Sequence, residues 1–154
     1  MSFDIHLHRF SPLPEDLDCE AAAQRLCQTV EGVAPSTPRA RVIHEETATE
    51  VQIDGPWGDG HVSADGGAFL VRHLDETVPR LVHAVASACD LVAVPVMVPM
   101  RFVMVREEQR GELPADTDFV APIVCASAEE LGAYFEGGYR RWAEFRDQVL
   151  NTGR

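Results

Sequence analysis

The chain has 154 residues and carries 25 acidic residues against 13 basic ones, all of them arginine, for a net charge of −12. This charge disfavours direct binding to nucleic acid, because the phosphate backbone would be repelled. Hydrophobic residues make up 45% and charged residues 25% of the chain, which argues against disorder and predicts one packed domain spanning residues 1–154. The longest apolar run, Leu91–Met100, is about half the length of a membrane-spanning helix and contains two prolines, so we exclude a transmembrane segment.

The start of the chain and its cysteines bear on where the protein acts. The opening sequence MSFDIHLHRF has Asp4 where a signal peptide has its basic start, and no apolar segment or cleavage site follows. The four cysteines lie far apart and form no Cys-x-x-Cys pair, so we interpret them as free thiols. Together these features predict a cytoplasmic protein.

In chain order, the first half predicts a strand, a helix and an antiparallel meander. Apolar and polar residues alternate from Phe3 to Phe10, which is typical of a half-buried strand. Apolar residues recur with helical spacing from Asp16 to Glu31. Further strands are predicted at residues 39–45, 48–54, 61–64 and 68–74, with a loop at the sequence GPWGDG and a tight turn at residues 65–67.

The second half predicts another helix followed by short strands. The helix is expected from Glu76 to Ala88, where apolar residues recur at spacings of three and four. Because Pro95 and Pro99 cannot donate ladder hydrogen bonds, they predict an edge or bulged strand in their neighbourhood. The strands expected here are at residues 91–98, 101–106 and 119–125.

The C-terminal region predicts one or two more helices. Ser127 and Glu130 form a capping box, which marks the start of a helix. The pair Gly137-Gly138 is expected to separate this helix from a last one. The whole pattern predicts an α+β fold, in which a mostly antiparallel sheet of about five to seven strands carries three to four helices.

One group of side chains on the first strand could bind a metal ion. Asp4, His6 and His8 are alternate residues, so they share one face of the strand and could approach a single ion. A small metal-dependent enzyme that uses these three residues is therefore one alternative for the function. No second ligand cluster stands at a diagnostic spacing, so we predict that the protein holds no metal.

No other motif assigns a catalytic residue or a cofactor. The glycine-rich stretch 55–67 matches neither the P-loop nor the dinucleotide-binding fingerprint and precedes no helix, and tight turns explain its glycines. The chain also lacks the Gly-x-Ser-x-Gly sequence of a serine nucleophile. We therefore predict a protein that is not an enzyme and binds no cofactor.

Two apolar segments could pack inside the molecule or contact another one. An aromatic stripe near the C terminus is interpreted as the face that packs the last helix on the sheet, with a recognition face as the alternative. Its members are Tyr134, Phe135, Tyr139, Trp142 and Phe145. The run Val96–Met104 is either core or an exposed edge that pairs with a second copy, which would give a homodimer. A homo-oligomeric ligand-binding or structural domain is the second alternative for the function.

Acidic residues lie in or beside the predicted meander, several of them on its non-core side. They are Glu45, Glu46, Glu50, Asp54, Asp59 and Asp65. The first 76 residues hold 14 acids and 5 arginines, a charge of −9, whereas the rest of the chain carries −3. Such acids often only solvate a surface. Strands that hold them in fixed positions would also suit a basic protein partner, which they would attract over a distance.

In type, these features resemble the immunity proteins with which bacteria neutralise toxins. The resemblance rests on the opening MSFDIHLHRF, the acidic meander and the terminal sequence EELGAYFEGGYRRWAEFRDQVL. It implies stoichiometric inhibition, in which the acidic face covers the basic active-site cleft of a cognate toxin domain. It assigns no catalytic residue to this chain and implies neither nucleic acid nor membrane as a partner.

Overall fold

The computed structural model describes residues 2–33, 39–44 and 49–152, and in this part of the chain all strands join one sheet. Its eight strands run in the order β2-β3-β4-β5-β1-β6-β7-β8, and every neighbouring pair is antiparallel except β7 with β8. The strands are β1 Phe3–His8, β2 Arg39–His44, β3 Thr49–Gly55, β4 Gly58–Ser63, β5 Gly66–Val71, β6 Val92–Pro95, β7 Val103–Met104 and β8 Ile123–Val124. The helices are α1 Cys19–Val33, α2 Thr77–Cys89, α3 Ala128–Thr152 and a 3₁₀ helix at Glu107–Glu112. The predicted α+β class is confirmed, with slightly more strands than expected.

The three α-helices cover one face of the sheet, and α2 contacts both of the others. Helix α1 begins three residues later than predicted, because the Asp18 carboxylate accepts a hydrogen bond from the backbone N–H of Ala21 at 3.1 Å and so caps the first turn. The helical residues buried against the sheet recur every three or four positions, as amphipathic helices require. On α1 and α2 they are Ala23, Leu26, Cys27, Val30, Val78, Pro79, Leu81, Val82, Val85 and Ala86.

Alternation along the strands supplies the other half of this core. On β1, Phe3, Ile5 and Leu7 are at most 1% exposed, whereas the residues between them are not fully buried. The same alternation continues on β3, β4 and β5 with Val51, Ile53, Val62, Phe69 and Val71. The middle of the chain is therefore the antiparallel meander that its sequence predicts.

The predicted GPWGDG loop is in fact a two-residue turn whose tryptophan enters the core. Strand β3 ends at Gly55 and β4 begins at Gly58, so only Pro56 and Trp57 lie between them. Trp57 is fully buried, and its ring lies 5.5 Å from that of Phe69. Gly58 has φ = +142°, and a Cβ there would lie 2.1 Å from a backbone oxygen of β5. Only glycine fits this position.

A second apolar cluster lies on the opposite face, at the β6–β8 end of the sheet. Val92 and Val94 of β6 pack there with Phe102 and Met104. The residues packed around them come from both sides of β7 and from the end of β1, and they are Phe10, Met100, Leu113, Phe119 and Val124. The segment between β7 and β8 therefore covers this end of the face that the helices leave open.

Of the two interpretations of the run Val96–Met104, core or exposed sheet edge, the strand pairing favours the first for its C-terminal end. Strand β6 pairs with β1 on one side and β7 on the other, and Val103 pairs with both β6 and β8. The prolines are tolerated because β6 ends at Pro95, and the exposed residues Val96 and Val98 belong to the turn that follows. Within the run, Val103 therefore offers no unpaired strand edge to a second copy.

The helix predicted to break at Gly137-Gly138 is continuous. Helix α3 runs through 25 residues, although each interior glycine costs about 1 kcal/mol relative to alanine. Gly138 lies close to Met97, because a Cβ at this position would lie 2.5 Å from the methionine sulfur, so a larger residue would require the end of the Met97 side chain to move. The predicted capping box is present with one change. The Ser127 hydroxyl accepts a hydrogen bond from the backbone N–H of Glu130, as expected. The Glu130 carboxylate accepts one from the backbone N–H of Ala126 and not from that of Ser127.

All four cysteines are free, as predicted, and burial raises the pKa of the Cys125 thiol to about 11. Cys19 is exposed rather than packed as a small hydrophobe. Within residues 2–33, 39–44 and 49–152, we find no helix with both the length and the hydropathy needed to span a bilayer.

The aromatic stripe divides into a packed part and an exposed part. Phe135 is fully buried, Trp142 is half-buried with its ring 6.5 Å from that of Phe3, and Phe145 is 59% exposed. The expectation that the stripe packs on the sheet is therefore wrong for Phe145. The reason is the length of α3, whose fully buried residues all lie in its first half.

We predict that Trp142→Ala lowers the free energy of unfolding by about 1–3 kcal/mol, since a half-buried ring loses less than the core value for a large aromatic. Phe145→Ala should change it by less than about 0.5 kcal/mol, as is usual for an exposed side chain. Urea denaturation of both variants checks this. Equal losses in the two variants would contradict the packing described here.

Candidate functional site

The candidate site is the side of β1–β5 that faces away from the helices, called here the open face. Because side chains alternate, each of these strands contributes every second residue to it. The positions with described side chains are Asp4, His6, His8, Arg41, Ile43, Glu50, Gln52, Asp54, Asp59, His61, Ser63, Ala68 and Leu70. Most are polar, in contrast to the apolar residues that alternate with them.

The strand register brings acidic residues into one row across the open face. Asp54 and Asp59 are directly opposite each other on β3 and β4, and Asp59 is opposite Leu70 on β5. Leu70 is in turn opposite Asp4 on β1. Like charges placed directly opposite destabilise a sheet, so the Asp54–Asp59 pair costs folding energy.

One ion pair and one histidine–carboxylate contact involve these acids. Arg72 lies just beyond β5 with its guanidinium 3.3 Å from the Asp59 carboxylate, and His61 lies 3.7 Å from the carboxylate of Glu50. Neither Asp4 nor Asp54 forms an ion pair with a side chain that the structure describes. The backbone register places Arg39 of β2 directly opposite Asp54.

Three histidines lie beside this row. The rings of His6 and His8 are stacked 6.3 Å apart, and His8 lies 6.0 Å from the ring of Phe10. His6 and His61 are both opposite Ala68, one on each side of β5, so about two strand spacings of 4.8 Å separate their backbones.

The surroundings of His8 disfavour its charged form. Loss of solvent around the ring, and secondly the positive charge of His6, lower the pKa of His8 from the ordinary 6.5. The folded protein thus binds a proton at His8 less readily than the unfolded chain does. The contribution of His8 to stability is present above pH 6.5 and is lost as the pH falls below it.

The predicted metal-binding group is on one face but does not assemble into a site. Asp4, His6 and His8 are in line along β1 as expected, and the Asp4 carboxylate accepts a hydrogen bond from the Ser2 hydroxyl. Across residues 2–33, 39–44 and 49–152, no three His, Cys, Asp or Glu side chains converge closely enough to hold a metal ion. The metal-enzyme alternative gains no support from this arrangement.

The structure brings half of the predicted acidic residues together. Glu50, Asp54 and Asp59 lie on the open face, whereas Asp65 is in the β4–β5 turn, beside the residues that lead into α1. Glu45 and Glu46 lie outside the described residues.

The sequence reasoning missed several members of the open face. His61 lies within the glycine-rich stretch 55–67, and the alternation from Gly58 to Ser63 puts it on the same side as Asp59. Arg41 and Arg72 carry no motif that marks them as members of this face. Arg72 could not have been placed beside Asp59 without knowing the register of β4 with β5.

Comparisons of this chain with protein-family models, with curated proteins and with solved structures each found no match. The function therefore rests on the geometry and charge of the open face.

We predict that, in an NMR titration of the imidazole resonances, His8 takes up its proton at a pH below 6.5. In His6→Gln the pKa of His8 should rise part of the way back to 6.5, because the positive charge of His6 is removed and the burial remains. An unchanged titration of His8 in this variant would contradict the coupling.

Proposed function

We propose that this protein binds a basic protein partner through its open face and, like an immunity protein, inhibits a cognate toxin domain by covering its active-site cleft. The observation that carries the proposal is that three α-helices cover one face of the sheet, while the other face exposes a row of fixed carboxylates across β1–β5. A covered face gives rigidity and an uncovered polar face gives contact area. An inhibitor that acts by occlusion needs both.

Rigidity supports the proposal because a preorganised surface loses little conformational freedom when it binds. The acids Asp4, Glu50, Asp54 and Asp59 are attached to strands whose opposite side chains are core residues. Their positions are fixed before any partner arrives. The −12 charge of the whole chain adds long-range attraction for a basic partner and repels nucleic acid.

The alternatives have less support from the geometry. A metal-dependent enzyme would need a convergent ligand set, which is not found in the part of the chain that the structure describes. Association of two copies through Val96–Met104 would need a free strand edge, and β6 and β7 are both paired on two sides.

The first test changes the charge of the open face and leaves the fold intact. We predict that Glu50→Lys with Asp54→Lys slows association with the partner by about tenfold or more at low salt, because electrostatic steering is reversed. The effect should shrink between 0.1 M and 1 M salt, where the Debye length falls from about 10 Å to about 3 Å. Surface binding kinetics with the partner domain measure both rates.

The matched control makes the same charge change on the other layer. Glu129→Lys with Glu144→Lys alters two exposed positions of α3 and should affect association far less.

The partner itself is sought by retaining proteins from native cells on the wild type and on both variants. A protein that is retained by the wild type and by the α3 variant, but not by the open-face variant, is the candidate partner. If expression of this candidate stops the growth of a host cell, co-expression of the present chain should restore that growth. A principal partner that is acidic, or equal association rates for the two variants, would refute the proposal.

The second test uses pH. With the imidazoles neutral, the described side chains of the open face include four carboxylates against Arg41 and Arg72, and each imidazole that takes up a proton removes one unit of this negative charge. We therefore predict that association with a basic partner weakens as the pH falls from 7.5 to 5.5, since histidine changes charge in this range. Because the pKa of His8 is lowered, His8 contributes to this loss of association only at the lower pH values of the range. A variant with His6, His8 and His61 all changed to Gln should lose most of this dependence, and an equally steep dependence in the variant would contradict the prediction.

A further inference from the structure

A cavity of about 270 Å³ lies apart from the open face, between α1, the end of α2 and the connection from β1 to α1. Two arginines line it, Arg9 from the connection and Arg25 from α1, and we call it the two-arginine cavity. Apolar side chains, among them Leu17 and Leu26, form much of the remaining wall. No carboxylate belongs to this lining among the residues that the structure describes, although acids outnumber arginines 25 to 13 in the chain.

Arg9 is held in place by the backbone. Its guanidinium donates hydrogen bonds to the carbonyl oxygens of Ser11 at 3.2 Å, Pro12 at 3.2 Å and Cys89 at 2.9 Å. These bonds orient the group without neutralising it, since all three acceptors are uncharged. Three of its five N–H donors are used in this way, which leaves donors for a ligand.

Arg25 adds a second positive charge at the same end of the cavity. Neither Arg9 nor Arg25 forms an ion pair with any described carboxylate, whereas five other arginines of the chain do so. Both guanidiniums act on the Cys89 thiol, where their charges oppose the rise in pKa that burial causes. The Cys89 end of the cavity is therefore electropositive within an acidic protein.

We propose that the two-arginine cavity binds a small organic carboxylate with an apolar body. A carboxylate accepts two parallel hydrogen bonds from a guanidinium, which suits the oriented Arg9 with Arg25 at the exposed rim. The aliphatic part lies against Leu17 and Leu26. A second space of about 190 Å³ adjoins Leu17, Ala22 and Ala64 and gives room for the end of a chain.

The size of the cavity narrows the class of ligand. Its volume is near the lower limit of about 300–1,000 Å³ that is usual for small-molecule sites, so a nucleotide is too large. An eight-carbon fatty acid is a suitable probe, because it combines one carboxylate with a short aliphatic chain.

The test is calorimetric titration of the full chain with sodium octanoate, with octylamine, 1-octanol and inorganic phosphate as comparators. Octanoate should bind with one-to-one stoichiometry, and the amide NMR signals of Arg25, Thr29 and Cys89 should shift on binding. Arg25→Gln should weaken binding about tenfold or more by removing a charge-assisted hydrogen bond. Gln preserves helix propensity at this exposed position. Arg80→Gln, on the exposed side of α2 and outside the cavity, is the matched control and should bind like the wild type.

A second variant tests the apolar part of the site. Ala22→Leu fills space next to both cavities, keeps good helix propensity, and should weaken octanoate binding while the melting temperature stays near that of the wild type. The proposal is overturned if the wild type does not bind octanoate at millimolar concentration, or if Arg25→Gln and Arg80→Gln bind equally well. It is also overturned if octanol or octylamine matches octanoate, or if phosphate binds as tightly and Ala22→Leu has no effect.

Discussion

Strand geometry sends alternate side chains to opposite faces of the sheet, and the three α-helices cover only one of those faces. The rest of the structure depends on this asymmetry. On the covered side, side chains such as Ile5 and Ile53 are fully buried, which fixes the strands and their register. On the other side the same register determines which polar groups become neighbours. The positions of Asp54 and Asp59 are thus a consequence of the core beneath them.

The uncovered face is shortened by the second apolar cluster. Phe102 packs against Phe10 and Phe119, and Gln109 holds the covering segment by accepting from the N–H of Val105 and donating to the carbonyl of Leu91. Gln109 is buried, and these bonds satisfy its amide. Because the cluster covers the β6–β8 end, the polar open face is confined to β1–β5. The apolar and the polar parts of this side are therefore adjacent, with His8 in contact with Phe10 at their border.

The sequence predicted the elements that depend on local pattern and missed those that depend on packing between distant segments. Alternation identified β1, and the spacing of apolar residues identified α2, each within two residues of its bounds. The same local pattern predicted a loop at Trp57. The tryptophan in fact lies in a tight turn with its ring packed against Phe69, a contact that the local sequence does not reveal. The local pattern also predicted a break at Gly137-Gly138, where α3 in fact continues and Gly138 packs closely against Met97. Tertiary packing overrode local propensity at both positions.

The two binding regions differ in how far a sequence can predict them. The open face follows from alternation, so Asp4 and His6 were assigned to one side of a strand from the pattern alone, but their cross-strand neighbours required the register. The two-arginine cavity has no pattern at all, because Arg9, Arg25 and Cys89 come from three separate elements. What places Arg9 there is a hydrogen bond to the last residue of α2, 80 positions along the chain. Since that contact lies on the helix-covered side of the molecule, an anion there and a basic protein on the open face would occupy different surfaces. Each could then be bound without displacing the other.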